Sequence, residues 1–320
     1  MSKKTKCLSS NKEGPTTEEK VAVIVELRQY FPLKVLLKIS RVPKATFFYT
    51  IKKVNKDGKN EEIIKQIVEI YRQNKGRYGY RRIQLELANR GYPVNHKKIK
   101  RIMNSLGIHG MTPRGKYKSY KGDQHGTCEN LLLQKVVDEI NHKTIYERDF
   151  MTKACNQKWT TDVSEFHIAA GKLYLSPILD MHNREIVSYN QSRNPNYYQT
   201  RDMLRKAMDK YDNLEGLIFH SDQGWQYQMS HYHKELEHRG IRQSMSRKGN
   251  CLDNSPMENF FGVMKNEMFY GHEHEFQTLE QLEQAIHEYI KYYNLERIMV
   301  KTKGLSPYMY RQQSSIQIVC

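Results

Sequence analysis

The chain has 320 residues, enough for two or three domains, and carries 52 Lys and Arg against 35 Asp and Glu, a net charge of +17. The surplus lies at the front: residues 1–125 hold 29 basic and 10 acidic side chains, a net of +19, whereas the other 195 hold 23 and 25, a net of −2. No apolar run reaches the roughly 18 residues of a membrane span, and the Lys-rich start lacks a signal peptide's apolar stretch. The five cysteines form no CxxC pair. That speaks against a disulfide framework or a thiolate zinc site and for a reduced, cytoplasmic setting.

Residues 1–17 are polar and read as a disordered tail. Over 18–58 the apolar spacing predicts helices from Glu18 to about Tyr30, from Leu33 to Ile39, and from Pro43 to about Lys53. The last two flank a short break and form a helix-turn-helix, whose second helix offers Lys44 and Lys52 to DNA. An ordinary helical hairpin fits the same spacing. Over 59–125 a helix at 61–73 precedes Gly76-Arg77-Tyr78-Gly79-Tyr80-Arg81-Arg82, a cationic and aromatic stretch. A helix ended by Gly91 and another from His96 to Leu106, with Asn95 as its N-cap, make a second helix-turn-helix. It presents Lys97, Lys98 and Arg101 beside Arg77, Arg81 and Arg82, and a basic linker follows to residue 125. Such a region binds nucleic acid by neutralising phosphates.

Residues 126–150 read as a connecting helix, centred on Asn130–Ile140. Strands are then expected at Lys158–Ile168, Lys172–Met181, Glu185–Asn190, Gly216–Ser221 and Ile241–Ser246. Helices are expected at Tyr197–Tyr211, at Met229–Arg239 and from Pro256. That order is α/β. His272-Glu273-His274-Glu275 has no ligand set on one face and reads as no metal site.

Three acids stand out at intervals of 60 and 36 positions: Asp162, Asp222 and Glu258. Asp162 is expected within the first strand, Asp222 just past the fourth, and Glu258 on the helix after Pro256. Strand ends are where open α/β sheets gather active groups. Three carboxylates near a basic DNA-binding region suggest metal-dependent phosphoryl transfer. Each acid also has a structural reading. Asp162 fits an ordinary strand acid, Asp222 a turn cap before Gln-Gly, and Glu258 the third position of a capping box with Ser255. Lys265 shares a helix face with Glu258, and Arg247 and Lys248 lie in a cationic loop that could close over a DNA end.

Several motifs carry a resemblance: the Gly76–Arg82 run, Trp159-Thr160-Thr161-Asp162, His220-Ser221-Asp222-Gln223-Gly224-Trp225-Gln226-Tyr227, Ser246-Arg247-Lys248-Gly249-Asn250, Asp253-Asn254 through Phe261, and Tyr292-Tyr293-Asn294 with Arg297 and Leu305-Ser306-Pro307. Together, over roughly residues 30–311, they resemble the DDE transposases of the bacterial IS-three family, whose catalytic domain is similar to retroviral integrases. The resemblance implies a ribonuclease-H-like mixed-sheet core at 151–312, preceded by all-α helix-turn-helix modules, and a tail at 313–320. It implies that Asp162, Asp222 and Glu258 hold two Mg²⁺ or Mn²⁺ ions, with Lys265 as the accompanying basic residue. The implied partners are element ends, target DNA and further copies of the chain, with an upstream-frame segment as a possible addition. The implied activity is cleavage at element ends and transfer of the freed 3′-hydroxyl, in the cytoplasm at the nucleoid. A DNA-binding regulator without catalysis and a simple nuclease are the rival readings. Ser255, Pro256 and Cys155 depart from the family's usual residues.

Overall fold

The computed structural model describes residues 15–111, 127–138 and 143–319. The expected tail over 1–17 lies outside the described residues up to residue 14, and so does the expected basic linker beyond residue 111. The chain divides into two compact units between Gln73 and Asn74.

In the first unit, α1 (Thr17–Leu27), α2 (Leu33–Ser40) and the start of α3 (Lys44–Gln73) enclose Val21, Ile24, Leu36, Val42 and Phe47. Thr16 and Glu19 cap α1 reciprocally. Arg41 turns left-handed at φ 55° and stops α2, which leaves a short turn before α3. The sequence places a break after Lys53, but α3 is one helix of 30 residues. It runs through Gly58, whose cost of about 1 kcal/mol does not suffice to break a long helix. The expected boundary at residue 58 therefore falls inside a helix.

The second unit starts with α4 (Tyr80–Asn89) and α5 (His96–Ser105). Asn95 caps α5 by accepting from the Lys97 amide at 2.9 Å. The expected connecting helix is instead an antiparallel hairpin, β1 (Leu133–Asp138) and β2 (Lys143–Arg148), with Val136 opposite Ile145 and Val137 opposite Thr144. Valine, isoleucine and threonine, branched at Cβ, favour strands over helices as residue types.

The mixed sheet consists of β3 (Lys158–Thr161), β4 (Ser164–Ile168), β5 (Gly171–Asp180), β6 (Ile186–Ser192), β7 (Ile218–Ser221) and β8 (Arg242–Met245). β5 pairs antiparallel with β6 on one edge and with β3 and then β4 on the other. β3, β7 and β8 run parallel. The single expected strand over Lys158–Ile168 is thus two, and Asp162 lies between them rather than within a strand. The cause sits across the ladder. Thr161 faces Ile178 and Ser164 faces Leu175, so the gap falls opposite Ser176 and Pro177. Pro177 has no amide hydrogen to donate, and its carbonyl accepts from the Thr161 hydroxyl at 2.9 Å.

Helices cover both faces. α6 (Tyr197–Met208) and α7 (Ser230–Glu237) pack Met203, Leu204, Tyr232 and Leu236 against Trp159, Ile178, Val187 and Phe219. On the other face, α8 (Ser255–Met264) and α9 (Leu279–Leu295) bury Met257, Phe260, Leu282, Ile286 and Ile290 against Phe166, Leu173, Leu175 and Ile186. A π-helical turn, Lys265–Phe269, continues α8. Of the expected tail at 313–320, residues 313–319 are instead the end of α10 (Pro307–Val319), and residue 320 lies outside the described residues. The architecture is ribonuclease-H-like, as the sequence predicts. No helix among the described residues is long and apolar enough to cross a membrane.

Candidate active site

Asp162 and Asp222 are the first residues past the carboxyl ends of two adjacent parallel strands. Trp159 pairs with Phe219 and Thr160 with His220. Carried on two residues, that register sets Asp162 beside Asp222, and neighbouring strands lie about 4.8 Å apart. Each acid is half-buried and fixed by a local amide: Val163 N donates to Asp162 Oδ1 at 2.7 Å, and Gly224 N donates to Asp222 Oδ1 at 2.9 Å. The turn-cap reading of Asp222 thus describes a real contact. A Cβ at Gly224 would meet Gln226 Nε2 at 2.7 Å and Asp222 Oδ1 at 3.0 Å, so a larger residue there would push the end of the Gln226 side chain aside and crowd the Asp222 carboxylate.

Glu258 stands in the first turn of α8. The alternative reading of Glu258 as part of a capping box with Ser255 as N-cap does not hold: Asn254 occupies the cap position, makes no side-chain cap bond, and Ser255 is already helical. Asn254 instead ties the start of α8 to β3. Its Nδ2 donates to the Thr161 carbonyl at 3.1 Å, and its Oδ1 accepts from the Thr160 hydroxyl. The residues just before Asp162 are therefore held to Asn254, four residues before Glu258 at the entrance of α8.

The charges are coupled. Burial first, then Asp222 and more weakly Glu258, push Asp162 well above the usual carboxylate range, against the opposing pull of Val163 N–H and Lys265. Burial raises Asp222 as well, partly offset by the Gly224 amide. Lys265 is pushed down by burial while Glu165 and Asp162 favour its charged form. Its Nζ donates to the Glu165 carbonyl at 2.8 Å and lies 4.8 Å from the Phe166 ring centre. The structure thus brings Asp162, Asp222, Glu258 and Lys265 to one end of β3 and β7. Among the described residues, no three His, Cys, Asp or Glu side chains stand close enough to hold one metal ion.

Family models for the integrase core domain match residues 153–251 and 258–314, and one for an HTH-like domain matches 59–117. The putative transposase InsK of insertion sequence element IS150 from Escherichia coli K12 is 44% identical over 292 residues, 91% of this chain and 98% of that protein. The chain belongs to the IS-three family of DDE-type insertion-sequence transposases. An uncharacterized transposase-like protein of Haemophilus influenzae is 50% identical over 221 residues, 69% of this chain and 94% of its own. The transposase InsF of IS3A from Escherichia coli K12 is 27% identical over 300 residues, covering 91% and 98%.

Not every basic residue singled out in this transposase faces outward. Arg247 is spent on Asp253, with Nε to Oδ2 at 2.9 Å and Nη2 to Oδ1 at 3.0 Å, whereas Lys248 is exposed. Arg77 stacks on Tyr292, 4.6 Å from the ring centre, and Arg82 pairs with Glu267 at 3.2 Å. Both serve the inside of the fold, because a half-buried guanidinium needs a partner. Arg81, Lys97, Arg101 and Lys44 are exposed and Lys98 is half-exposed. The Lys52 side chain lies outside the described residues.

Other supports were not legible as such. His220, fully buried, bridges the hydroxyls of Ser244 at 2.8 Å and Ser246 at 3.0 Å. Burial drives its pKa down to about 4 despite Asp253, so the ring is neutral and locks β7 to β8 behind Asp222. Asp253 collects Arg247, Arg148 at 2.7 Å and Asn130 at 3.1 Å. Burial alone would raise its pKa, but the two arginines hold it at about 2. It therefore contributes on the order of 2–3 kcal/mol above its unfolded pKa of about 4, and that contribution is lost as pH falls through about 2. Denaturant unfolding of Asp253→Asn beside the wild type checks this. The stability gap should be clear at pH 7 and shrink toward pH 2; an equal gap at both would contradict it.

Proposed function

We propose that this transposase cleaves DNA at the ends of its insertion sequence and joins the freed 3′-hydroxyl to another strand, with Asp162, Asp222 and Glu258 holding divalent cations, Mg²⁺ or Mn²⁺. The observation that carries the reading is the pair of aspartates at the carboxyl ends of β3 and β7, electrostatically coupled to each other and to Glu258. Three half-buried, mutually repelling carboxylates are a hard-oxygen donor set that gains from a nearby cation. That they do not all close on one point fits Mg²⁺, which usually takes one or two carboxylates plus waters and substrate phosphates. Two such ions, when bound, activate the attacking oxygen and stabilise the leaving one. The protein's own part is to fix the acids: the Val163 and Gly224 amides orient two of them, and Asn254 sets the start of α8 against β3. Lys265, beside Asp162, is placed to meet a phosphate. Joining two element ends calls for more than one copy of the chain.

α5 supplies a DNA-binding face. Ile99, Ile102 and Met103 are buried, while Lys97, Lys100 and Arg101 are exposed. Replacing Lys97 and Arg101 together by Ala should weaken DNA binding across sequences and flatten the salt dependence. The slope of log K against log salt is expected to change by about 0.9 for each phosphate that is no longer neutralised. Anisotropy titrations between low and moderate salt measure it, and an unchanged slope removes α5 from the interface.

The reading itself is tested by incubating the full chain with labelled duplexes bearing the element's terminal repeats, with Mg²⁺ or with EDTA. Metal-dependent nicking followed by joining supports it. Degradation of any duplex without joining would favour a nuclease, and specific binding without chemistry a regulator.

A further inference from the structure

The chain has two tryptophans, and they are used in opposite ways. Trp159 is fully buried in the core, whereas Trp225 is 56% exposed. Tryptophan carries a large apolar surface that water disfavours, so a lone exposed one asks for a reason. Trp225 begins a 3₁₀ turn, Trp225–Gln228, immediately after the glycine whose amide fixes Asp222 in place. The geometry points to Trp225 as a stacking platform for an unpaired nucleobase next to the phosphate handled by the three acids. This inference rests on the strand-transfer reading above.

Three observations support it. First, the turn that carries the indole is fixed relative to Asp222. Tyr227 N donates to the Gly224 carbonyl at 3.0 Å, Gln228 Nε2 donates to the Gln223 carbonyl at 2.6 Å, and Gly224 N holds Asp222. Tyr227, fully buried and 5.6 Å from the Tyr232 ring, anchors the turn from below. A ring carried on such a turn is pre-organised and loses little freedom on binding. Second, the half-buried Lys265 beside Asp162 is a cation that can hold a backbone, but an indole offers a phosphate nothing beyond one N–H. What an aromatic face binds well is another flat ring, and every base has one. Third, chemistry at a strand end leaves terminal bases unstacked or easily unstacked, and such bases stack on aromatic side chains.

The base can come from the element end or from the target strand, and the test separates the two. Full-length wild type, Trp225→Phe and Trp225→Leu are assayed for binding and joining. The substrates are a terminal-repeat duplex with unpaired bases at its end, the same duplex abasic beside the cleavage position, and a target duplex with or without an abasic site. Leu keeps the apolar bulk and removes the ring. Trp225→Leu should lose about tenfold or more in binding or joining, and Trp225→Phe much less, in line with the cost of one lost stacked base. The defect should vanish on the abasic end if the base belongs to the element, or on the abasic target if it belongs to the target. Emission from Trp225 should be quenched by DNA in the wild type and the quenching lost in Trp225→Phe, because the remaining Trp159 is buried. Leu behaving like the wild type on every substrate, or a defect undiminished on both abasic duplexes, overturns the inference. A wild type that joins no ends in Mg²⁺ overturns the strand-transfer reading and this inference with it, an outcome distinct from any effect of Trp225.

Discussion

Glu258→Gln, Asp162→Asn and Asp222→Asn are each expected to reduce strand cleavage and joining by about a thousandfold or more while leaving binding to terminal-repeat duplexes within about twofold. The magnitude follows from what a cation contributes, several kcal/mol of transition-state charge stabilisation, with each 1.4 kcal/mol worth about tenfold in rate. The amide variants keep the shape of each side chain and remove the charge that would draw the ion. Binding should survive because the exposed bases of α5 lie on other elements than the acids. Single-turnover joining and parallel anisotropy titrations separate the two quantities. Substantial joining by any of the three variants would remove that residue from the reacting centre.

The largest effect on stability is expected at Glu267, a residue outside the reacting centre. Its side chain is 4% exposed. It accepts from Arg297 at 2.8 and 2.9 Å, from Tyr289 at 2.9 Å and from Arg82 at 3.2 Å. Burial would raise its pKa, but Arg297 and Arg82 hold it low. Its charge is therefore present at neutral pH, and its stabilisation falls away as pH drops below the normal Glu range toward the lower folded value. Removing one partner of such a cluster strands buried charge and costs about 3–5 kcal/mol. Glu267→Ala should lower Tm by roughly 10 °C in a unit of this size. Arg81→Ala, whose side chain is exposed, should leave Tm almost unchanged. Scanning calorimetry of both variants checks the contrast, and equal melting of Glu267→Ala and the wild type would contradict it. The same cluster explains how the second helix-turn-helix is held to the catalytic body. Arg82 of α4 meets Glu267 just past α8, Tyr78 accepts from Ile298 N at 3.0 Å, and Asn89 donates to the Gly304 carbonyl at 3.0 Å.

Much of this was legible in the sequence where the signal was local. The parallel strand Gly216–Ser221 reads as a short apolar run bounded by turns, and Asn95 reads as a cap, because period and capping chemistry are set by near neighbours. The acids stood out because they sit in polar motifs at strand and helix boundaries. Less legible was whatever depended on distant partners. Nothing beside Asp162 announces that Pro177, on another strand, opens the ladder opposite it. The hairpin at Leu133–Arg148 shows apolar residues at spacings that a helix also allows, and its pairing is settled by the opposite strand. Arg77, Arg82 and Arg247 share the composition of DNA-contacting arginines, and only tertiary structure reveals that Tyr292, Glu267 and Asp253 already occupy them.

Whether Asp162, Asp222 and Glu258 together hold the cations is decided by measuring Mn²⁺ bound to the transposase–DNA complex by electron paramagnetic resonance, in the wild type and in Asp222→Asn. Specific Mn²⁺ binding is expected in the wild-type complex and should be lost or greatly weakened in the variant, with DNA still bound. Equal Mn²⁺ binding in both complexes would contradict it.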